Sequence, residues 1–285
     1  MAVVSKDLLF RLRKVEHANT RLRLGVWQSV DGNPMRASIE EKEWGHIFHY
    51  SARPSNSVFN RASATGLGLF DNLEEIESSF FSKSVPAILE ISTMDLAGDF
   101  EEQGMKRVIE RGYNLHSVEG VYYGETDRDY ASPSQDVEIV KVQSGEQRKA
   151  FTEAYLAGWE YPPETALLWQ TVANGMFEDP NFTGYIAMVD GKPAGSAQLH
   201  IQDGIGYYAD ACVRPEFRRR GCQRALFNAR LEAARQAGCE LIFSIAEFAD
   251  QSANNMEAFG LRMATETWHW TKSPHPRDIS SDISD

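Results

Sequence analysis

The chain has 285 residues, enough for one large or two medium domains with a full core. Apolar residues make up 42% and charged residues 25%, the balance of an ordinary globular protein. The net charge of −12 argues against a nucleic-acid partner, which calls for a basic face; it suits a cationic substrate such as an amine and serves solubility in any case.

The first element expected is a long amphipathic helix from a Ser5 cap to about Val30, with Leu8, Leu9, Leu12, Val15, Leu22 and Leu24 as its apolar positions. Asp31-Gly-Asn-Pro34 breaks it. Trp44 to Tyr50 and Ser57 to Ala64 read as strands, and Gly66-Leu-Gly68 as a loop too short for a dinucleotide fingerprint. A helix capped by Asp71 or Asn72 runs to about Ser82, followed by a strand at Pro86 to Ser92. Phe100 to Arg111 reads as a helix ended by Gly112, and Leu115 to Tyr123 as a strand. Gly124 to Gln135 is polar and reads as an interdomain linker.

Beyond it, Asp136 to Val142 is expected as a strand and Ser144 as the cap of a helix to about Trp159. A second helix follows Pro162-Pro163 and ends near Phe177. Phe182 to Val189 and Lys192 to Ile201 form a hairpin around Asp190-Gly191, and Asp203-Gly204 turns into a central strand, Ile205 to Val213. A helix then opens at Gly221 and stops at Gly238, with Cys222, Leu226, Ala229, Ala233 and Ala237 on its apolar face. A strand at Glu240 to Ala246, a helix near Ser252 and a strand at Leu261 to Trp270 complete the order. The tail from 274 to 285 is polar and expected to be disordered.

Cys212, Cys222 and Cys239 are odd in number and lack metal-ligand spacing, so reduced thiols in a cytoplasmic setting and no metal are expected. Met1 to Phe10 carries Lys6 and Asp7 within its short apolar run, so no secretory leader is expected. No run nears the ~18 apolar residues of a membrane span, so no membrane partner is expected either.

Tyr207 to Leu226 runs strand, short turn, basic glycine-containing loop, helix. Arg218, Arg219, Arg220 and Gly221 stand where the strand hands over to a helix N-terminus. Free N–H groups and the positive end of the dipole point outward there, which makes an anion site suited to a pyrophosphate. The bland reading is a solvated helix start.

This layout resembles the GNAT acyltransferase superfamily, whose acetyl-CoA loop reads Arg/Gln-x-x-Gly-x-Gly/Ala. Here it stands as Arg218-Arg219-Arg220-Gly221-Cys222-Gln223, with Gln223 replacing the last small residue. The lead-in Val213-Arg214-Pro215-Glu216-Phe217 and the later Ser252-Ala-Asn-Asn-Met-Glu-Ala-Phe-Gly-Leu261 are similar to the family's, with Leu261 in place of Phe. The resemblance covers roughly residues 136–271. It implies an α/β protein with a mixed, mostly antiparallel sheet flanked by helices. Residues 1–130 read as a degenerate GNAT-like or accessory α+β domain, without the loop motif, and residues 131–273 as the acetyltransferase domain.

The resemblance also implies roles. Ala211, Cys212 and Val213 would contact the pantetheine arm of acetyl-CoA where the central strand splays. Arg218, Arg219, Arg220, Gly221, Cys222, Gln223 and Arg224 would surround the pyrophosphate, and Asn255 would hydrogen-bond the cofactor. A backbone N–H between Ala211 and Val213 would meet the oxyanion. The base has three candidates, Glu247, Asp210 and His200, and a water relay is a fourth option. Each side chain also reads as a satisfied structural polar group. The family's tyrosine acid falls on Met256, so Tyr207, Tyr208 or water would replace it. Cys212 lacks a Cys–His signature and reads as a small strand residue rather than a nucleophile. Trp159 and Trp169, near the first two helices of this half, would wall the acceptor site, while Trp268 and Trp270 read as core or rim.

The reading is an acetyl-CoA-dependent N-acetyltransferase that passes an acetyl group directly to a primary amine on a small molecule or peptide, acting as monomer or homodimer. A non-catalytic acyl-CoA-binding or interaction module is the alternative.

Overall fold

Ser5 opens the first helix, its side chain accepting a bond from the Leu8 amide at 3.2 Å. This helix is α1 (Lys6–Ser29) of a computed structural model that describes residues 4–64, 68–92, 100–128, 130 and 137–274, with backbone alone for 100–102. The chain continues through β1 (Ala37–Lys42), β2 (Gly45–Tyr50), β3 (Arg61–Ala64), α2 (Leu73–Phe81), β4 (Ala87–Ser92), α3 (Phe100–Glu110) and β5 (Asn114–Glu125). Then come β6 (Glu138–Lys141), α4 (Gly145–Gly158), α5 (Ala166–Met176), β7 (Phe182–Val189), β8 (Lys192–Gln202), β9 (Ile205–Tyr207) and β10 (Ala211–Val213). The last four elements are α6 (Cys222–Gln236), β11 (Leu241–Glu247), α7 (Gln251–Ala258) and β12 (Arg262–Lys272).

These elements form two compact units. One holds the chain to Val26 together with Gly120–Thr265; the other holds Trp27–Glu119 and the chain from Glu266 on. The division read from sequence, 1–130 and 131–273, differs from this at α1, at β5 and at β12, most of which joins the other unit. The reason lies in the apolar stripe of α1: Leu8, Leu12 and Val15 are buried in one cluster with Ile205, Leu241 and Phe243. Val121 and Tyr123 of β5 belong to the same cluster, so the stripe leaves water against β5 and strands of the later half together.

In the first unit the strands lie in the order β11–β9–β8–β7–β6, with β10 added on β8. β9 and β11 are parallel; the other pairs are antiparallel. Strand alternation divides the side chains of β11 between two faces. Leu241 and Phe243 meet α1, whereas Ile242 and Ala246 share a cluster with Leu226, Phe227, Leu231 and Ala234 of α6. The hairpin turns form as their Asp-Gly pairs predict, both residues at positive φ: Asp190 at 51° and Gly191 at 71°, Asp203 at 51° and Gly204 at 72°.

In the second unit the order is β1–β2–β3–β4–β12, with β3 and β4 parallel. Ile76 and Phe80 of α2 and Val108 of α3 pack on Ile47, Leu89 and Ile91. Glu77 accepts both arms of Arg111, at 2.9 and 3.0 Å, and pairs with Lys272 at 3.0 Å.

Several sequence expectations change. The strand expected over 57–64 keeps only Arg61–Ala64, and β1 was not anticipated. Asn72 precedes α2, but its side-chain oxygen accepts no cap hydrogen bond, and its amide nitrogen donates to the carbonyl of Gly68 at 2.6 Å. The helix expected near Ser252 forms, capped by Asp250, which accepts from the Ala253 amide at 2.8 Å. Of the expected linker 124–135, residues 129 and 131–135 lie outside the described residues, as do the strand start at 136, residues 66 and 67 of the Gly66–Gly68 loop, and the tail from 275. The rest of that linker is tethered, since Arg235 donates to the carbonyls of Thr126 and Arg128 at 2.5 and 2.6 Å. No helix among the described residues is long and apolar enough to cross a membrane.

Candidate active site

The central strand expected over 205–213 is broken in two. Up to Tyr208 the chain pairs with β11: the Tyr208 amide donates to Phe243 O at 2.8 Å, and Ser244 donates to Tyr208 O at 2.9 Å. There it leaves. Asp210 takes φ +22°, and the Gln198 amide of β8 is shared between Ala209 O (3.3 Å) and Asp210 O (3.1 Å), the signature of an extra residue in the ladder. Beyond this bulge β10 pairs, among the described residues, with β8 alone. A gap therefore opens between β10 and the end of β11, lined on one side by a strand edge with no strand partner among the described residues. β10 itself is tightly seated. A Cβ on Gly195 would come 2.5 Å from Cys212 O, and one on Gly158 of α4 would come 2.5 Å from Cys212 Sγ.

After β10, Pro215–Phe217 make one 3₁₀ turn. Phe217 is buried beneath the Arg214 guanidinium, 5.6 Å from ring centre, and Arg214 pairs with Glu216 at 2.6 Å. The loop then uses two left-handed residues, Arg219 at φ +64° and Gly221 at φ +83°, and Gly221 is the N-cap of α6. Glycine is the residue that takes such a φ without strain. Among the described residues the backbone amides of 219 to 224 meet no acceptor within the chain. Open N–H groups at a helix start are a place where an anion can be held, a candidate cradle. Arg220 pairs with Asp190 at 2.9 Å, and Arg218 lies 3.5 Å from Glu160. Arg219 and Arg224 are exposed, with no carboxylate partner among the described residues. The apolar face of α6 is wider than expected: Ala225, Phe227, Leu231 and Ala234 are buried with Cys222 and Leu226, while Ala229 and Ala233 are half-buried.

The three candidate bases fall in different surroundings. Glu247 ends β11 and is exposed. His200 is buried on β8 opposite Tyr207, and burial pushes its pKa down, which keeps the ring neutral. Asp210 sits at the bulge, and sequence reasoning missed its partners. Its carboxylate pairs with Arg23 of α1 at 2.6 Å and accepts from the Tyr155 hydroxyl of α4 at 3.1 Å. Burial is the largest single influence and works against the Arg23 cation, but the Asp210 charge and hydrogen bond together with the Tyr155 and Tyr207 phenols hold the guanidinium above its ordinary range. Burial raises the Tyr155 phenol well above 10, with the Asp210 charge adding to it. No local pattern could reveal this group, because Arg23 and Asp210 are 187 positions apart.

Tyr155 also begins an aromatic wall. Trp169 lies 5.2 Å from it, Tyr161 6.2 Å and Trp159 6.4 Å, with Trp159 48% and Tyr161 37% exposed. The remaining candidates are plainly placed. Asn255 is half-buried on α7 and accepts from Gln251 at 3.1 Å. Met256 is core, at 6% exposure. Tyr208 is buried under the guanidinium of Arg230 at 4.4 Å, and its phenol is raised well above 10 by burial. Burial likewise pushes the Cys212 thiol up to about 11, which leaves it protonated.

Comparison with known proteins fits this geometry. The model of the acetyltransferase (GNAT) family matches residues 146–260. Among solved structures, the chain is similar to a GCN5-related N-acetyltransferase from Kribbella flavida, at 17% identity and TM-score 0.59, over 94% of this chain and 97% of that one. It is similar to a tandem GNAT protein from the clavulanic acid biosynthesis pathway at 12% identity and TM-score 0.59, over 91% and 95% of the two chains. A functionally unknown conserved protein from Staphylococcus epidermidis aligns at 15% identity and TM-score 0.60, over 87% and 97%. No curated protein matches the sequence. At these identities the structural likeness speaks for the fold, that of a mixed α/β protein of the tandem GNAT kind.

Proposed function

A domain of the acetyltransferase (GNAT) family occupies residues 146–260, and from that premise we propose that the chain is an acetyl-CoA-dependent N-acetyltransferase acting by direct transfer to a primary amine. The observation that carries the reading is the gap between β10 and β11 ending at an amide cradle with free arginines. A strand edge covered by no neighbouring strand, its carbonyls held only by long side-chain contacts from Arg218 and Gln223, suits an amide-bearing arm, and the cradle beside it suits a diphosphate. The amides of Arg219 to Arg224 hold the diphosphate, with Arg219 and Arg224 supplying charge and Arg218 and Arg220 reaching it from their weak surface pairs. Ala211 to Val213 take the arm. Asn255, one turn of α7 before the closing glycine, completes the cofactor set.

Acetyl-CoA supplies an activated acyl carbon. The amine nitrogen bonds to that carbon, the C–S bond breaks, and coenzyme A leaves as thiolate. A backbone N–H of Ala211 or Val213 stabilises the oxyanion between these events. An amine of pKa near 10.4 is costly to use at pH 7, about 4.6 kcal/mol for the neutral form. Glu247, exposed at the gap's rim, takes the amine proton directly or through water. Asp210, fixed by Arg23 and Tyr155, supplies a carboxylate that orients the incoming ammonium. The aromatic wall of Tyr155, Tyr161, Trp159 and Trp169 bounds the acceptor side.

One observation favours the alternative, a non-catalytic acyl-CoA-binding module. The position of the family's tyrosine acid is the buried Met256, and the Tyr208 ring is buried beneath Arg230. Thiol release separates the two. With acetyl-CoA and a panel of small-molecule and peptide amines, the enzyme reading predicts coenzyme A appearing in proportion to an acetylated product. Binding of acetyl-CoA without release for any amine would favour the module.

A further inference from the structure

The groups that β10 turns into the gap can be assigned from register. The Gln198 amide bonds to Asp210 O at 3.1 Å and the Arg214 amide bonds to Ala194 O at 2.9 Å. Residues 210, 212 and 214 therefore face β8, and alternation turns the N–H and C=O of Ala211 and Val213 the other way. Among the described residues no strand pairs with β10 on that side. Yet neither carbonyl is left open. Arg218 Nε lies 3.4 Å from Val213 O, and the carboxamide nitrogen of Gln223 lies 3.4 Å from Ala211 O.

Gln223 is the position at which the family's loop pattern has Gly or Ala. It is the second residue of α6, half-buried, so its backbone amide belongs to the anion cradle while its side chain leans across to the strand. A carboxamide N–H on a strand carbonyl is the same donor that a secondary amide of a pantetheine arm would offer. The two cannot hold one carbonyl lone pair in the same place.

We propose that Gln223 is a built-in competitor for the amide-bearing arm of the thioester carrier, closing the Ala211 carbonyl until it swings aside, while the carrier's nucleotide end binds without that movement. The proposal rests on the acetyl-CoA reading above. Its consequence is selective. Gln223 lowers affinity for a carrier with an arm and leaves affinity for the bare nucleotide unchanged. A long, neutral hydrogen bond exchanged for another is worth about three- to tenfold in Kd.

Titration calorimetry with coenzyme A and with 3′-phosphoadenosine 5′-diphosphate tests this on the full chain. Gln223→Ala removes donor and bulk; Gln223→Met keeps the bulk and removes the donor. Both variants are expected to bind coenzyme A about three- to tenfold tighter than the unmodified protein, with the nucleotide unchanged. The proposal is overturned if coenzyme A affinity is unchanged or weaker, if both ligands tighten equally, or if only Gln223→Ala tightens. If the nucleotide and coenzyme A both fail to bind even the unmodified chain, the acetyl-CoA reading itself has failed and the proposal goes with it.

Discussion

Removing one member of the Arg23–Asp210 pair should destabilise the protein far more than removing a surface ion pair. The two side chains are 14% and 22% exposed and 2.6 Å apart, with the Tyr155 hydroxyl also committed to Asp210. Breaking a fully buried pair costs roughly 3–5 kcal/mol because the orphaned charge has no water. An exposed pair is worth under about 1 kcal/mol. At this exposure Arg23→Met and Asp210→Asn should each cost about 2 kcal/mol, near the middle of that range. For a unit of this size that is a fall of roughly 4–8 °C in Tm. The double variant has no unpaired charge, so its cost should fall short of the sum by about 1.5 kcal/mol. Urea titration followed by tryptophan fluorescence supplies the three values. Additivity within about 0.5 kcal/mol would show that the pair is not coupled, and Asp210 would then lose its assigned anchor.

Three further outcomes follow from other parts of the structure. Cys212, buried and pushed up to about 11, should resist iodoacetamide in the native protein at pH 8, and Cys212→Ala should retain acyl transfer; rapid labelling with loss of activity would reinstate a covalent cysteine. In the second unit, burial drives His49 and His269 down to about 4. Both are then neutral in the fold, so their contribution is complete above pH ~6.5 and is lost as pH falls toward 4, by about 1.4 kcal/mol per pH unit for each. Urea midpoints that stay flat between pH 6.5 and 4 would contradict this. Glu247→Gln should lower kcat and flatten the acidic limb of the pH–rate profile, whereas an unchanged profile would move the base elsewhere.

Local chemistry made much of this fold legible. Ser144 and Gln147 form the capping box that the serine promises, with the amide of Gln147 donating to Ser144 at 3.3 Å. The Asp-Gly turns and the glycine at the start of α6 demanded a positive φ and received it. What was hidden depended on contacts distant in sequence. The apolar stripe of α1 could be seen, but not which strands it would cover. Nothing marks the break at 208–210, since no Gly or Pro stands there and the bulge is imposed by β8 on one side and β11 on the other. β1 escaped notice because Ala-Ser-Ile-Glu-Glu-Lys has one large apolar residue and packs as an edge strand. The loop at 218–221 and the helix that opens after it were readable from sequence, yet the reach of Gln223 to Ala211 was not.

Acetyl-CoA titration calorimetry of the unmodified chain and of a variant carrying Arg219→Ala, Arg220→Ala and Gly221→Ala tests the central claim most directly. Gly221 holds φ +83°, a conformation that alanine adopts only with strain, so the variant distorts the cradle as well as discharging it. The account predicts measurable binding that weakens by at least about a hundredfold in the variant, as several charge-assisted hydrogen bonds to the diphosphate are lost. Equal affinity in the two proteins, or no binding to the unmodified chain, would contradict it.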